Sequence, residues 1–308
     1  MNRVLVTGAA GFVGSAVVKE LLKHNLFVCG IDVIKDPSNR LPENSKQFVY
    51  EQSDIFDVNA FKSICDKYKI DTVYHFAWVG SAGPLREDYN CQVKNALNTV
   101  ELLKVAKEVG CVRFIVAGTI MEFEELDIVY KQESEPNAAY IYGVGKQLAH
   151  SLSKLVANDI DIELVWTYIT NSFGVGELSP RLINSTIRKC INGEPLQFTS
   201  GVQNYDFIYI DDVASAFYLI GVKGKKNKGY VIGSGHAAPL KTFLEKLAQT
   251  CNSKNSPVFG DIPYTGTNMP LKLFDISETT TDCGFVPQIS FEEGIERTYK
   301  WLKEIENK

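Results

Sequence analysis

The 308-residue chain lacks most of what marks a metalloprotein, a disulfide-stapled protein or a nucleic-acid binder. Its four histidines are scattered and offer no metal-ligand spacing. Seven cysteines, at 29, 65, 91, 111, 190, 251 and 283, form no C-x-x-C and are odd in number, so they read as reduced packing residues. No apolar run approaches the ~18 residues that a membrane span needs. The N-terminus enters a strand at once, which leaves no room for a signal peptide, and a cytoplasmic protein is expected. Positive charge is also scarce: 32 Lys and Arg against 37 Asp and Glu give a net charge of −5, without the basic footprint of a nucleic-acid partner. The one basic stretch, 223–228, is short, interrupted by glycine, and reads as a solvated loop. There is no internal repeat or low-complexity tract.

What is present is a hydrophobic content of 45%, enough to fill a sizeable core, arranged as alternating strands and helices as far as about Thr167. Such alternation predicts an α/β fold, a doubly wound parallel sheet of Rossmann type with helices on both faces. Beyond Thr167 the pattern loosens, and Gly and Pro cluster in 174–180, 193–195 and 256–270. A smaller, discontinuous C-terminal lobe follows from this, with residues 1–170 and 205–232 forming the main unit and 171–204 and 233–308 the lobe.

The most informative segment is Thr7-Gly8-Ala9-Ala10-Gly11-Phe12-Val13-Gly14, which lies between an apolar strand (Arg3 to Val6) and a helix (Val13 to Leu22). Helix N-termini leave backbone N–H groups without partners, so a pyrophosphate can accept their bonds at the positive end of the dipole. Gly8 permits the tight turn, Gly11 the approach of phosphate and Gly14 the packing of helix on strand, while Ala10, Phe12 and Val13 supply the backbone of the cradle. A second strand, Leu26 to Ile31, ends at Asp32, where a carboxylate can bond both ribose hydroxyls and repel a 2′-phosphate. NAD is therefore favoured, although Lys35 and Arg40 leave NADP possible. Asp54 and Ile55 follow the third strand. Phe76, Ala77 and Trp78 end the fourth strand, with His75 before them shaping the cofactor pocket.

The fifth strand, Arg113 to Ala117, delivers Thr119 to the same edge. Tyr142 and Lys146 fall in a helical stretch, Ala139 to Val156, where an i, i+4 pair shares one face about 6 Å apart along the axis. A phenol with an ordinary pKa near ~10 is a poor base at neutral pH. A neighbouring ammonium favours its phenolate, and acid/base catalysis works best when the pKa nears the working pH. Thr119, Tyr142 and Lys146 are the candidate catalytic set, Lys146 also bonding the nicotinamide ribose and Tyr140 lining the pocket.

The G-x-x-G-x-x-G spacing together with Tyr142 and Lys146 resembles the extended short-chain dehydrogenase/reductases, specifically the NAD-dependent epimerase/dehydratase family that acts on nucleotide sugars. Further segments extend the resemblance over nearly the whole chain: 168–176, whose Asn171 matches a substrate contact, 206–214, and 233–235, which resembles the turn into a substrate-binding lobe (171–204 and 233–308) beside an NAD-binding unit (1–170 and 205–232); Asp54 and Ile55 match an adenine contact. Two departures bear on the reaction. Family dehydratases follow the threonine with an Asp-Glu pair, whereas Ile120 and Met121 stand here, which disfavours a 4,6-dehydratase; Glu122 is one position late and faces the wrong way on an extended strand. Arginines that hold the substrate pyrophosphate in many members are replaced by Tyr205 and, near Pro263, by Tyr264 and Thr265, leaving Arg181 or Arg188 with Asn171 as substitutes.

The resemblance thus implies a nucleotide-sugar 4-epimerase in which Tyr142 takes the hydroxyl proton while NAD takes the hydride and returns it. A 4-keto-6-deoxyhexose reductase consuming NADH or NADPH is the alternative, and a non-catalytic dinucleotide sensor the third reading. No metal is called for. The resemblance also implies a homodimer through helices 88–109 and 139–156, both of which carry broad apolar faces.

Overall fold

The computed structural model describes every residue except Tyr264, Thr265, Asn307 and Lys308, so the expectation for 264 and 265 lies outside the described residues. The chain divides into two compact units. The first comprises Met1–Ile169, Ala214–Val231 and Ser277–Phe285, and the second Thr170–Val213, Ile232–Ile276 and Val286–Lys308.

The first unit is built on the expected sheet. Its strands are β1 (Arg3–Thr7), β2 (Phe27–Asp32), β3 (Phe48–Gln52), β4 (Thr72–His75), β5 (Arg113–Thr119) and β6 (Glu163–Ile169). With the strand Lys228–Ile232 they form a seven-stranded sheet in which that strand is followed by β6, β5, β4, β1, β2 and β3. The pairings among β1 to β6 are parallel. The order reverses at β1, so the crevice beyond the carboxyl ends of β1 and β4 is the topological switch point where such sheets take ligands.

Helices α1 (Phe12–Lys23), α2 (Val58–Tyr68), α3 (Tyr89–Glu108), α4 (Met121–Tyr130) and α5 (Ile141–Asp159) cover this sheet. Asp57 and Asp88 cap α2 and α3, the Asp88 carboxylate accepting from the N–H groups of Asn90 (2.8 Å) and Cys91 (3.1 Å). Leu102 and Leu103 of α3 and Ala149 and Ala157 of α5 join Phe61, Phe114 and Trp166 in one buried cluster. Each large apolar side chain there contributes roughly 1.5–3 kcal/mol by leaving water.

Two glycines break the helical propensity of α5, and both have packing reasons. A Cβ on Gly143 would stand 2.0 Å from Glu125 Oε1, and one on Gly145 2.8 Å from Gln92 Cβ. These glycines let α5 press directly on α4 and α3.

The units divide differently from the sequence expectation over 205–213 and 277–285, and by a single residue at Thr170 and at Ile232. Residues 205–213 belong to the second unit because Phe207–Tyr209 pairs in parallel with Asn171–Phe173. Residues 277–285 belong to the first because Asp282 accepts from Lys225 Nζ (2.6 Å), Lys228 Nζ (2.7 Å) and Tyr230 Oη (3.0 Å).

The second unit carries two further short pairs, Asn204–Tyr205 with Ala238–Pro239 and Gln197–Phe198 with Val258–Phe259. Its helices include α6 (Leu182–Asn192) and the segments Leu240–Thr250 and Phe291–Glu306. The core is aromatic: the rings of Phe207, Phe243 and Phe291 lie 5.0–5.7 Å apart, and Phe173 stands 5.5 Å from Phe291. Among the described residues no helix is long and apolar enough to cross a membrane, and no group of three or more potential metal ligands converges.

Candidate active site

The glycine turn forms as its sequence dictates. Gly8 has φ +67°, and a Cβ there would lie 2.7 Å from the backbone N of Ala77 at the end of β4. A Cβ on Gly14 would lie 2.1 Å from the Gly8 carbonyl, so only glycine lets α1 start against the turn. No side chain caps α1, and the N–H groups of Phe12, Val13 and Gly14 lie in its first turn, where helix geometry supplies no acceptor. Asp32 closes the other side: its carboxylate accepts from Ala10 N at 3.0 Å and Ile34 N at 3.3 Å. An open N-terminal helical turn beside a carboxylate at the end of β2 fits the pyrophosphate and adenosine ribose of a dinucleotide.

Asp54 is exposed and accepts from Phe56 N at 3.0 Å, whereas Ile55 is buried and its carbonyl accepts from Asn98 Nδ2 at 3.1 Å. The ends of β1 and β4 are tied by Thr7, whose hydroxyl accepts from the N–H groups of Phe76 and Ala77, each at 3.2 Å. The same hydroxyl meets His75 Nδ1 at 2.8 Å, and Nε2 meets Thr99 Oγ1 at 3.1 Å. Because Thr99 donates to the Asn95 carbonyl (3.0 Å), its hydroxyl accepts from Nε2–H, and Thr7 donates to Nδ1. Burial, reinforced by the Lys146 charge, pushes the imidazole down to about 3, so His75 is a neutral strut.

Thr119, Tyr142 and Lys146 all stand in the first unit. Lys146 is buried, donates to the Ala117 carbonyl at 2.8 Å and stacks its ammonium 3.7 Å from the centre of the Trp78 ring. Trp78 is also the edge-on neighbour of Tyr142, with ring centres 6.3 Å apart. The candidate acid/base pair therefore flanks one indole at the carboxyl edge of the sheet. Burial pushes Lys146 down to about 7, with the Glu122 charge pulling the other way. Trp78 itself is fixed by donation from Nε1 to Gln92 Oε1 (2.7 Å), and Gln92 Nε2 bonds the carbonyls of Gly80 (3.1 Å) and Leu85 (2.9 Å).

The segment after Thr119 is helical rather than extended, because Met121–Tyr130 forms α4. Glu122 consequently turns inward. Its Oε1 accepts from Thr119 N at 2.9 Å and Trp166 Nε1 at 3.1 Å, and its Oε2 lies 3.5 Å from His150 Nδ1. It braces Thr119 from below. One turn on, Glu125 is fully buried with its oxygens pressed on the backbone of Gly143, and burial, with the Glu124 charge, pushes it up to about 9. Tyr140 is buried on the 3-10 turn Ala138–Tyr140 that leads into α5, and burial and the charges of Glu124 and Glu125 push its phenol up.

The second unit holds the remaining candidates. Asn171 donates from Nδ2 to the Asp206 carbonyl at 3.1 Å, and the Tyr205 ring stacks on Phe207 at 5.6 Å. Arg188 is engaged by Glu306 at 2.7 Å. Arg181 is half exposed, with Glu177 Oε2 3.8 Å away. Sequence reasoning missed Arg86, whose guanidinium lies 4.1 Å over the Tyr142 ring, and Glu125 under Gly143. A lone arginine in a Gly/Pro-rich loop carries no pattern. The Y-G-x-G-K glycines were the available signal for a close neighbour of α5.

Comparison with known proteins identifies the family and the fold. The family model for the NAD dependent epimerase/dehydratase family matches residues 4–233. A dTDP-glucose 4,6-dehydratase of Haemophilus influenzae is 27% identical over 98% of this chain and 98% of its own. A UDP-glucuronate 4-epimerase of Thermodesulfobacterium geofontis is 28% identical over 99% of this chain and 97% of its own. In fold, the chain matches the UDP-glucose 4-epimerase of Thermotoga maritima, solved with UDP-glucose, at a TM-score of 0.81 and 21% identity over 99% of each chain. The chain belongs to the NAD dependent epimerase/dehydratase family, enzymes of the extended short-chain dehydrogenase/reductase type.

Proposed function

We propose that this protein is a nucleotide-sugar 4-epimerase with Tyr142 as its acid/base residue, Lys146 as the cation that sustains it and Thr119 as the hydrogen-bonding partner of the reacting oxygen. The observation that carries the reading is Tyr142 and Lys146 flanking Trp78 at the switch-point edge, with Lys146 anchored on Ala117 of β5. NAD, when bound, supplies a hydride acceptor that can return what it takes. Its phosphates would lie on Gly8, Ala10, Gly11, Phe12, Val13 and Gly14, its adenosine ribose on Asp32, its adenine beside Asp54 and Ile55, and its nicotinamide half near Phe76, Ala77, Trp78 and Lys146.

Tyr142 removes the proton from the sugar 4-hydroxyl and later returns it to the same oxygen; the inversion lies at the carbon, which would receive its hydride back on the other face once the sugar has turned. Lys146 stabilises the charge that Tyr142 carries between the two transfers. Thr119, held by Glu122 through its own N–H at 2.9 Å, aims its hydroxyl at the oxygen that changes state. Tyr140, Asn171, Arg181 and Tyr205 are the residues we assign to the substrate. Arg181 is preferred to Arg188, whose guanidinium already bonds Glu306 at 2.7 Å.

Lysines near neutrality and buried carboxylates commonly mark reaction sites, and the depressed Lys146 supports catalysis over passive dinucleotide sensing. Isoleucine at 120 and methionine at 121, with Glu122 turned beneath Thr119, weigh against water elimination from the sugar. A homodimer is part of the same reading. Tyr89, Val93 and Leu97 on α3 and Val144 and Leu155 on α5 are exposed apolar side chains, and Leu155 is 71% exposed. Exposed apolar side chains on packed helices suit a partner helix pair.

The decisive experiment is denaturation of purified protein and identification of what it releases, followed by incubation with UDP-glucose and UDP-glucuronic acid. Retained NAD and interconversion of 4-epimers without net NAD reduction are expected. An empty protein that oxidises NADPH or NADH with a 4-keto sugar nucleotide would replace this reading with a one-way reductase.

A further inference from the structure

Arg86 occupies a place that neither the glycine turn nor the acid/base pair requires. It lies on the short 3-10 turn Pro84–Glu87, and its guanidinium carbon is 4.1 Å from the centre of the Tyr142 ring. Its fork is set by donation from Nη1 to the Ser81 carbonyl (3.0 Å) and from Nη2 to Met121 Sδ (2.8 Å). The turn that carries it is itself clamped, since Gln92, almost fully buried, bonds the carbonyls of Gly80 and Leu85. A planar cation held this way over an aromatic face interacts more strongly as the ring gains negative charge.

Resting on the reading of Tyr142 as the acid/base residue, we propose that Arg86 is a positioning residue for Tyr142. Its stacked guanidinium fixes the ring and supplies a second cation that favours the phenolate. The interaction differs in kind from that of Lys146, which is anchored on Ala117 and stacks on Trp78.

The charged and titratable groups around this end of α5 are consistent with that role. Glu125, the carboxyl packed on Gly143, is neutral below about 9 and so does not cancel the guanidinium charge at working pH. Glu124 and Tyr140 lie near Glu125, Glu122 is turned towards Thr119, Trp166 and His150, and Glu87 beside Arg86 is exposed. In the cofactor-free protein Lys146 is a cation only below about 7, whereas the Arg86 guanidinium keeps its charge throughout and is the lasting positive group beside this phenol.

The test is an ultraviolet phenolate titration of the cofactor-free protein, with the Tyr142→Phe difference isolating Tyr142, and the same subtraction on an Arg86→Met background. Arg86→Met is expected to move that titration upward by about one pH unit, from the usual size of a cation–π contact. The acid limb of kcat/KM should rise by the same amount, with activity recovering above it. Arg86→Lys, which keeps the charge without the planar face, should move both by about half as much, and it carries the test if the Met variant does not fold. A titration and a limb that stay within about 0.2 pH units of the wild type would overturn the proposal. Failure of the underlying reading looks different: Tyr142→Phe would then retain turnover.

Discussion

Lys146 offers a way to separate what a residue does for function from what it does for the fold. Its ammonium is buried, and burial pushes its titration from the ordinary 10.5 to about 7. The sign follows from proton counting. Between about pH 7 and 10.5 the unfolded chain holds a proton on Lys146 that the native state has shed, so native stability rises with pH through this window and is lowest below it. At ~1.36 kcal/mol per pH unit, the buried charge costs the cofactor-free fold about 4–5 kcal/mol at pH 6.5 and only about 1–2 kcal/mol at pH 9.5. Lys146→Met removes that cost but leaves the Ala117 carbonyl without its donor, a loss of roughly 1–2 kcal/mol at any pH.

The variant is therefore expected to be more stable than the wild type by about 2–3 kcal/mol at pH 6.5 and close to equal at pH 9.5, while losing turnover at both. Urea unfolding followed by circular dichroism at the two pH values measures this. Titration of Glu125 runs in the opposite sense but is common to both proteins and cancels in the difference. A stability difference that changes by less than about 0.5 kcal/mol between the two pH values would show that the native state pays for no buried ammonium, and the reasoning would fail.

Three further outcomes follow from the same contacts. Gly143→Ala would force a Cβ to 2.0 Å from Glu125 Oε1 and should destabilise the first unit by about 1–3 kcal/mol in thermal unfolding, with much of the loss recovered in a Gly143→Ala/Glu125→Ala double variant. Asp32→Ala removes the carboxylate at the end of β2 and should weaken NAD binding by about tenfold in calorimetry, since charge-assisted bonds to ribose hydroxyls are worth ~1.5–3 kcal/mol before solvent competition. On the proposed dimer, Leu97→Arg with Leu155→Glu places charge on the exposed apolar faces of α3 and α5 and should leave a monomer in sedimentation where the wild type is a dimer; a monomeric wild type would refute the dimer, and an unchanged dimer would place the contact elsewhere.

Much of the first unit was legible because its signals are local. The glycine turn, the carboxylate at the end of β2 and the Tyr142–Lys146 spacing each depend on a few neighbouring residues, and strand ends in a parallel sheet converge on one edge. What escaped the sequence depends on distant packing. The stretch after Thr119 reads as an extension of β5, yet it coils because Glu122 finds partners in Thr119, Trp166 and His150 that lie far apart in sequence. Arg86 reaches Tyr142 across more than fifty intervening residues, from a loop without periodicity. The compact units divide near 205 otherwise than the sequence pattern suggests, because a three-residue strand, Phe207–Tyr209, has no length to show whether it joins the large sheet or pairs with Asn171–Phe173. Aromatic alternation in 205–209 is compatible with either.

The Tyr142→Phe protein, assayed for 4-epimerisation of a nucleotide hexose by NMR alongside its affinity for NAD, decides whether Tyr142 carries the proton transfers. Loss of acid/base catalysis should lower turnover by about 10²–10⁴-fold, with NAD affinity within a few-fold of the wild type. Turnover within a few-fold of the wild type would take the proton transfers away from Tyr142 and contradict the mechanism.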